Sequence, residues 1–320
     1  MYFINNLLNP SLRWEDALEL WNREMGKIFP ITKKIFFQNI SHCPDLNKSA
    51  SSFAFDETGL VGFLFAKEFN NEAIKKYQNM GFVSLFYISK KHRNQGIGSK
   101  LLEMCEQVFI QRQKTEIVIG RDYHNFFPGV PNDFDNLTGP WLEKRHYNYA
   151  RTTHDLVNWL PAKNYPITNK QYIYRYANTN DYNAMLDFFD RNFPGRWKYE
   201  YQEFIEKTPD EQSYYIALDH DLVVAFTRIN DESLSLIPYN LTWVSRFSSL
   251  GALGPLGVDK NYRKQKLGND IVSAGLNELI KKGCHPIMID WTGLLEFYQQ
   301  FGFEVWKGYD CYAKQIENNK

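Results

Sequence analysis

The sequence predicts a mixed α/β fold (α+β), built twice over. Three observations carry that expectation. The chain has 320 residues, and at roughly 100–200 residues per domain this is room for two domains, each long enough to bury its own core. The segment YISKKHRNQGIGSKLL (87–102) lies over GVDKNYRKQKLGNDIV (257–272) at an offset of 170, with Arg93 on Arg263 and Gly98 on Gly268. The same offset carries Ile117-Val118-Ile119 onto Ile287-Met288-Ile289 without a gap. One order of strand, loop, helix and strand in both copies marks a duplication. Upstream, Leu60-Val61 falls on Leu222-Val223 at an offset of 162, so the second copy carries about eight more residues before the shared block.

Taken in order, the elements follow from periodicity and turn chemistry. Trp14, Ala17, Leu18 and Trp21 stand at helical spacing. Segments 52–66 and 213–228 read as hairpins turning at Glu57-Thr58-Gly59 and His220-Asp221. FVSLFYI (82–88) is rich in β-formers and reads as a buried strand. After RNQGIG, the residues Leu101, Leu102, Cys105, Val108 and Phe109 form an apolar helical stripe. Ile271, Val272, Gly275, Leu276, Leu279 and Ile280 do the same in the second copy. Short apolar strands follow at 116–119 and 286–289. LPAKNYPITNKQY (160–172) has two prolines and little periodicity, which is linker chemistry. The expected division is 1–160, a linker at 161–171, and 172–320.

Composition narrows the function classes. The chain carries 37 basic and 37 acidic residues. Residues 1–165 have 20 Lys/Arg against 17 Asp/Glu, and the remainder 17 against 20. Neither half has the positive field of a dedicated nucleic-acid binder. Residues 1–30 lack the basic-then-apolar pattern of a secretory signal, and no run is long enough to span a membrane. Cys43, Cys105, Cys284 and Cys311 are widely spaced, which argues against a disulfide framework or a local zinc motif and makes a reducing cytoplasm the expected location. His124, His146, His154 and His285 show no metal spacing and read as structural or surface residues. Aromatic residues make up 16% of the chain, enough for aromatic-lined cores or clefts, and composition does not choose between them.

The chemistry-bearing feature is Arg93-Asn94-Gln95-Gly96-Ile97-Gly98, between a strand and a helix. A helix N-terminus offers unpaired N–H groups and partial positive charge to an anion. Glycine lets a pyrophosphate approach the main chain. A single copy reads equally as a tight turn. Here the pattern recurs as Arg263-Lys264-Gln265-Lys266-Leu267-Gly268, and it is neither GxGxxG nor GxxxxGK[ST].

With these residues the chain resembles the GNAT acetyltransferase family, whose mark is a strand, then [QR]-x-x-G-x-[GA], then a helix. The first half matches at Arg93, Gly96 and Gly98; the second matches at Arg263 and Gly268, with Lys266 in place of the first glycine. The resemblance extends to Ile287–Asp290 followed by LEFYQQFGF (295–303). It covers most of both halves and implies a tandem protein, each domain a mixed, mostly antiparallel sheet flanked by helices. Asp290-Trp291-Thr292, FYQQFGF and FFPGVP (126–131) resemble the subgroup of glucosamine/glucosaminide N-acetyltransferases.

The resemblance implies acetyl-CoA as co-substrate, no metal, and direct attack of a neutral amine on the thioester. Such chemistry needs a route for the amine proton, a donor for the departing thiolate, and positioning. The implied cofactor-binding residues are Ile88, Arg93, Asn94, Gln95, Gly96, Ile97, Gly98 and Ser99 in the first half. In the second they are Val258, Arg263, Lys264, Gln265, Lys266, Leu267, Gly268 and Asn269. Setting Gly302-Phe303 against His146-Tyr147 puts Leu142 opposite Tyr298, so the second half is expected to be catalytic with Tyr298 as general acid. Read without the resemblance, Tyr298 is a core aromatic. Asp290 is a base or amine anchor, or equally a turn aspartate ahead of the helix. Trp291 stacks on a sugar ring or simply packs. Phe127, Arg196 and Trp197, in two Pro-Gly segments, either line the acceptor cleft or belong to rigid turns.

The expected partner is a small-molecule amine, with no nucleic acid and no membrane, and the protein a monomer or homodimer. A non-catalytic acyl-CoA sensor is the alternative. An aminoacyl-tRNA-dependent transferase is a third, and the neutral charge weighs against it.

Overall fold

The computed structural model describes residues 2–9 and 11–316. It divides into two compact units, one of Met1–Thr153 with Lys307–Lys320, the other of His154–Trp306.

In unit 1, strands Phe3–Asn6, Ser52–Asp56, Gly59–Glu68 and Met80–Ile88 are antiparallel neighbours. Asp56 accepts from the Thr58 amide and closes the 57–59 turn. Met80–Ile88 then pairs in parallel with Glu116–Ile119. Alternation along Gly59–Glu68 sends side chains to both faces. Val61, Leu64 and Ala66 meet helix Ile97–Gln111 through Leu101, Leu102, Cys105 and Phe109. Phe63 and Phe65 meet the opposite layer, where Trp14 of helix Trp14–Met25 stacks on Phe65 at 6.0 Å. Each large apolar side chain buried in this way contributes about 1.5–3 kcal/mol.

Unit 2 repeats the plan. Strands Ile173–Tyr176, Tyr214–Asp219, Leu222–Asp231 and Gly251–Val258 are antiparallel, and Gly251–Val258 runs parallel to Ile287–Thr292. The Leu222–Asp231 strand again feeds two cores. Val224 and Ile229 face helix Leu267–Lys281. Val223 and Phe226 face helices Tyr182–Asn192 and Arg196–Lys207.

The structure draws the division differently from the sequence. Ile287–Thr292 pairs with His154–Asn158, from the earlier part of the chain. Within unit 1, Glu116–Ile119 pairs with Tyr312–Gln315, from its end. Each sheet is completed by a strand from the other half of the sequence, so 307–320 does not group with 172–306. The 161–171 segment is also no free linker. Tyr165 is buried, its amide donates to Asn277 at 2.8 Å, and the Thr168 and Asn169 amides donate to the Asp270 carboxylate at 2.8 and 3.0 Å. Low periodicity marked the absence of regular structure there, not the absence of docking. Among the described residues no helix is long and apolar enough to cross a membrane.

Candidate active site

Both loops reach their helices through left-handed backbone. Gly96 caps helix Ile97–Gln111 at φ 82°, and Lys266 caps helix Leu267–Lys281 at φ 61°. Asn94 and Lys264, two residues earlier, are also left-handed at 60° and 64°. Neither helix has a side-chain cap, which leaves first-turn amides to a bound anion. The arginines turn back rather than outward. Arg93 Nε donates to the Ile88 carbonyl at 3.1 Å, and Arg263 Nε donates to the Val258 carbonyl at 3.4 Å. Both therefore lock loop to strand. Ile97 and Leu267 anchor the first turns in the cores, while the Cβ of a residue at Gly96 would meet little. Ser99 Oγ accepts from Arg145 at 2.5 Å. Gln95 Nε2 donates to the Lys91 carbonyl, and Asn269 Nδ2 donates to Gln300. Gln265 accepts at its carbonyl from Asn169. A Cβ at Gly98 would touch Ile88 and Phe86 at 3.4 Å, and one at Gly268 would touch Phe297 and Val258 at 3.8 Å. The donor set fits a pyrophosphate in both units.

Ahead of each loop the parallel strands separate. Ladder pairing covers Met80–Val83 with Glu116–Ile119, although the first strand continues to Ile88. In unit 2 it covers only Gly251–Ala252 with Ile287–Met288, although the strand continues to Val258. Beyond these points the two strands no longer pair with each other, and in unit 2 the Gly254 carbonyl accepts from Asn230 Nδ2 at 3.1 Å.

Where Ile287–Thr292 diverges in unit 2, it presents Asp290 and Trp291. Trp291 has φ 46°, a costly position for a bulky residue, about 1–3 kcal/mol. Its amide donates to Asp155 Oδ1 at 3.1 Å. Asp290 is half-buried. Its pKa is pushed up to about 8, first by burial and then by the Asp155 charge, against the pull of Arg196. Arg196 opens helix Arg196–Lys207, positioned by Gly195 at φ 109°. Its Nε donates to Glu200 Oε1 at 2.5 Å, one helical turn on. Its guanidinium lies 5.1 Å from the Tyr239 ring and 5.7 Å from the Trp291 ring, within cation–π range. Glu200 Oε2 and Trp291 Nε1 are buried without hydrogen-bond partners. Tyr298 is 5% exposed, packed edge-on to Phe297 and Phe303. Burial and the nearby Asp290 charge hold its hydroxyl protonated, well above the usual tyrosine range.

The structure thus brings Asp290, Trp291, Arg196 and Tyr298 into one neighbourhood. It does not bring Trp197 there, because that ring packs on Phe193 at 4.8 Å and Phe226 at 5.7 Å. Phe127 lies in unit 1, buried edge-on against Trp21 at 5.4 Å, beside the Pro128-Gly129 turn. Sequence reasoning missed Asp155, Glu200 and Tyr239. The Arg-x-x-x-Glu spacing of 196 and 200 was a usable helix-face signal. Asp155 had none, since its strand joins this sheet from far away in the chain.

The chain matches the model of the Acetyltransferase (GNAT) family over residues 12–127 and again over 182–303. No curated protein matches it. Among solved structures it is similar to a glucosamine N-acetyltransferase region of a fungal multi-domain GH3 β-N-acetylglucosaminidase. That match has a TM-score of 0.85 at 22% identity, over 98% of this chain and 38% of that one, so the chain spans well under half of that protein. An acetyltransferase from Sphaerobacter thermophilus gives 0.70 at 14% identity, over 99% of this chain and 96% of that one. A tandem GNAT protein from the clavulanic acid biosynthesis pathway gives 0.69 at 12% identity, over all of both chains. At these identities the likeness is one of fold. The two family matches, in register with the two loops, cover most of the sequence: the chain is a tandem member of the GNAT acetyltransferase family.

Proposed function

We propose that unit 2 transfers an acetyl group from acetyl-CoA to the primary amine of a small polar acceptor, an amino sugar being the class that fits best. One observation carries the reading: the Asp290 carboxyl, with a pKa pushed up to about 8, sits among Arg196, Tyr239 and Trp291. A base poised near the working pH takes a proton from an amine efficiently. The unpartnered Glu200 Oε2 and Trp291 Nε1 supply an acceptor and a donor for hydroxyls, and the Trp291 ring a face for a sugar.

Acetyl-CoA supplies the activated thioester. The amides of 264–268 hold its pyrophosphate, and Arg263 and Val258 fix the loop against the strand. Asp290 accepts the proton released by the attacking nitrogen, and Asp155 tunes it. The Tyr298 hydroxyl gives a proton to the departing thiolate. Unit 1 has the cleaner loop but Leu142 where unit 2 has Tyr298, which supports acyl-CoA binding there without turnover. The four free cysteines suit a cytoplasmic protein.

The test is acetyl-CoA with a panel of amino sugars, amino acids and polyamines, following thiol release, with calorimetry of acetyl-CoA binding alongside. Release on the amino sugars supports the full reading. Release on another amine overturns the acceptor class. Binding without release on any amine favours the sensor alternative, and no binding overturns both.

A further inference from the structure

Unit 1 holds a second group of reactive side chains, apart from its loop. Cys43, Asp45 and His124 each offer one ligand atom, and the three atoms lie within 4.8 Å of one another. Cys43 Sγ and His124 Nδ1 are 3.7 Å apart, from residues 81 positions apart in sequence. A tetrahedral zinc ion at the usual Zn–S and Zn–N lengths holds its sulfur and nitrogen about 3.6 Å apart. The observed spacing differs from that by about a tenth of an ångström.

We propose that Cys43 Sγ, the Asp45 carboxylate and His124 Nδ1 form a binding site for a divalent transition metal of the zinc class. One coordination position remains for water or an outside ligand. Thiolate, imidazole and carboxylate together select such ions over magnesium or calcium. The charges close: thiolate and carboxylate bring two negative charges to the ion, and the imidazole is neutral. The adjacent Lys67–Asp122 pair, buried at 2.8 Å, adds none as a pair.

Burial pushes the Cys43 thiol up, the Asp122 and Asp45 charges add to this, and Lys67 and a hydrogen bond from the Asp45 backbone oppose it only in part. The ion must therefore displace a proton, and binding tightens as pH rises. Both ligand segments are held at the main chain. Leu46 N–H donates to the Cys43 carbonyl at 3.2 Å and Glu68 N–H to the Asp45 carbonyl at 2.9 Å. Around His124, Arg121 N–H donates to the Phe127 carbonyl at 2.7 Å and Asn125 N–H to the Asp122 carbonyl at 2.8 Å. The rival arrangement is a plain thiol–imidazole hydrogen bond, which has the same spacing and holds no metal.

Cobalt(II) distinguishes the two. Full-length protein titrated with Co²⁺ should develop a thiolate-to-cobalt charge-transfer band saturating at one ion per chain and erased by equimolar Zn²⁺. Among the described residues no other cysteine belongs to such a group, so the band reports Cys43. Cys43→Ser should remove the band, and His124→Gln should weaken Co²⁺ binding by about 100-fold or more, the upper end of what losing even an outer partner costs. Asp45→Asn, the mildest change, should keep the band and weaken binding by about 10–100-fold. Absence of a band in the unmodified protein overturns the proposal, whatever the variants do. So does a band that survives Cys43→Ser.

Discussion

Leu142 occupies in unit 1 the place that Tyr298 occupies in unit 2. The Leu142 carbonyl accepts the Tyr147 amide at 3.2 Å, and the Tyr298 carbonyl accepts the Phe303 amide at 3.4 Å. Each is followed by a left-handed residue, His146 at φ 67° and Gly302 at φ 84°. Leu142 is 2% exposed and Tyr298 5%, so packing alone asks only for a large side chain. A phenol there adds proton chemistry to the same backbone. Tyr298→Phe should therefore fold normally and bind acetyl-CoA with unchanged affinity, while kcat falls by about 100-fold or more, as for loss of a general acid. Calorimetry and steady-state kinetics read the two separately. An unchanged kcat removes Tyr298 from the mechanism.

The raised Asp290 pKa makes a stability prediction as well as a kinetic one. The folded value, about 8, lies above the ordinary 3.8. Between those values the folded chain keeps a proton that the unfolded chain has released. The favourable contribution is therefore complete at low pH and is lost as pH rises toward 8. Asp290→Asn should gain stability relative to the parent progressively over that window and level off above it, as read by Tm against pH. The same substitution should abolish the alkaline-rising limb of kcat/KM, whose apparent pKa in the parent should lie near 8.

The duplicated loops and the strands beside them were legible because both are local. Arg93 and Arg263 stand at matching positions in the two copies, whereas their bonds back to the strand ends came only with the structure. The Leu142–Tyr298 correspondence was legible for the same reason. Asp155 was not, because a strand that pairs across the chain carries no periodicity telling which sheet it completes. The Cys43–His124 proximity was hidden in the same way. Trp197 and Arg196 are neighbours in sequence, yet one joins the aromatic core and the other stands beside Asp290 and Trp291. Adjacent residues on a helix point about 100° apart, and only the packing decides which side is which.

Lys266 and Gly96 hold the same left-handed cap, and only one of them is glycine. A side chain there costs about 1–2 kcal/mol in the folded state. Glycine offsets part of that gain through the entropy of the unfolded chain. Lys266→Gly should stabilise unit 2 by no more than about 1 kcal/mol, and Gly96→Lys should destabilise unit 1 by a similar amount. Urea midpoints of the two variants check the opposed signs. Because the loop presents amides rather than side chains, Lys266→Gly should change acetyl-CoA affinity only through the lost ammonium charge. That difference should fade as salt is added.

Asp155 and Arg196 pull the Asp290 titration in opposite directions, and removing each should move the pH profile in opposite directions. Asp155 is a like charge that holds the Asp290 proton on. Asp155→Asn keeps an oxygen to accept the Trp291 amide, so the turn survives, and the midpoint of the kcat/KM profile should shift to lower pH. Arg196 is the opposite charge and favours the ionised form. Arg196→Met alone would leave Glu200 buried without its partner, at a cost of about 3–5 kcal/mol. The Arg196→Met/Glu200→Gln double variant avoids a lone buried charge. Of these two groups Arg196 acts more strongly on Asp290, so the double variant should still shift the midpoint upward. A general loss of packing would lower rates in both variants without separating their midpoints. Opposed shifts, measured by kinetics and by carboxyl NMR titration, would place the working proton on Asp290; shifts of the same sign would place it elsewhere.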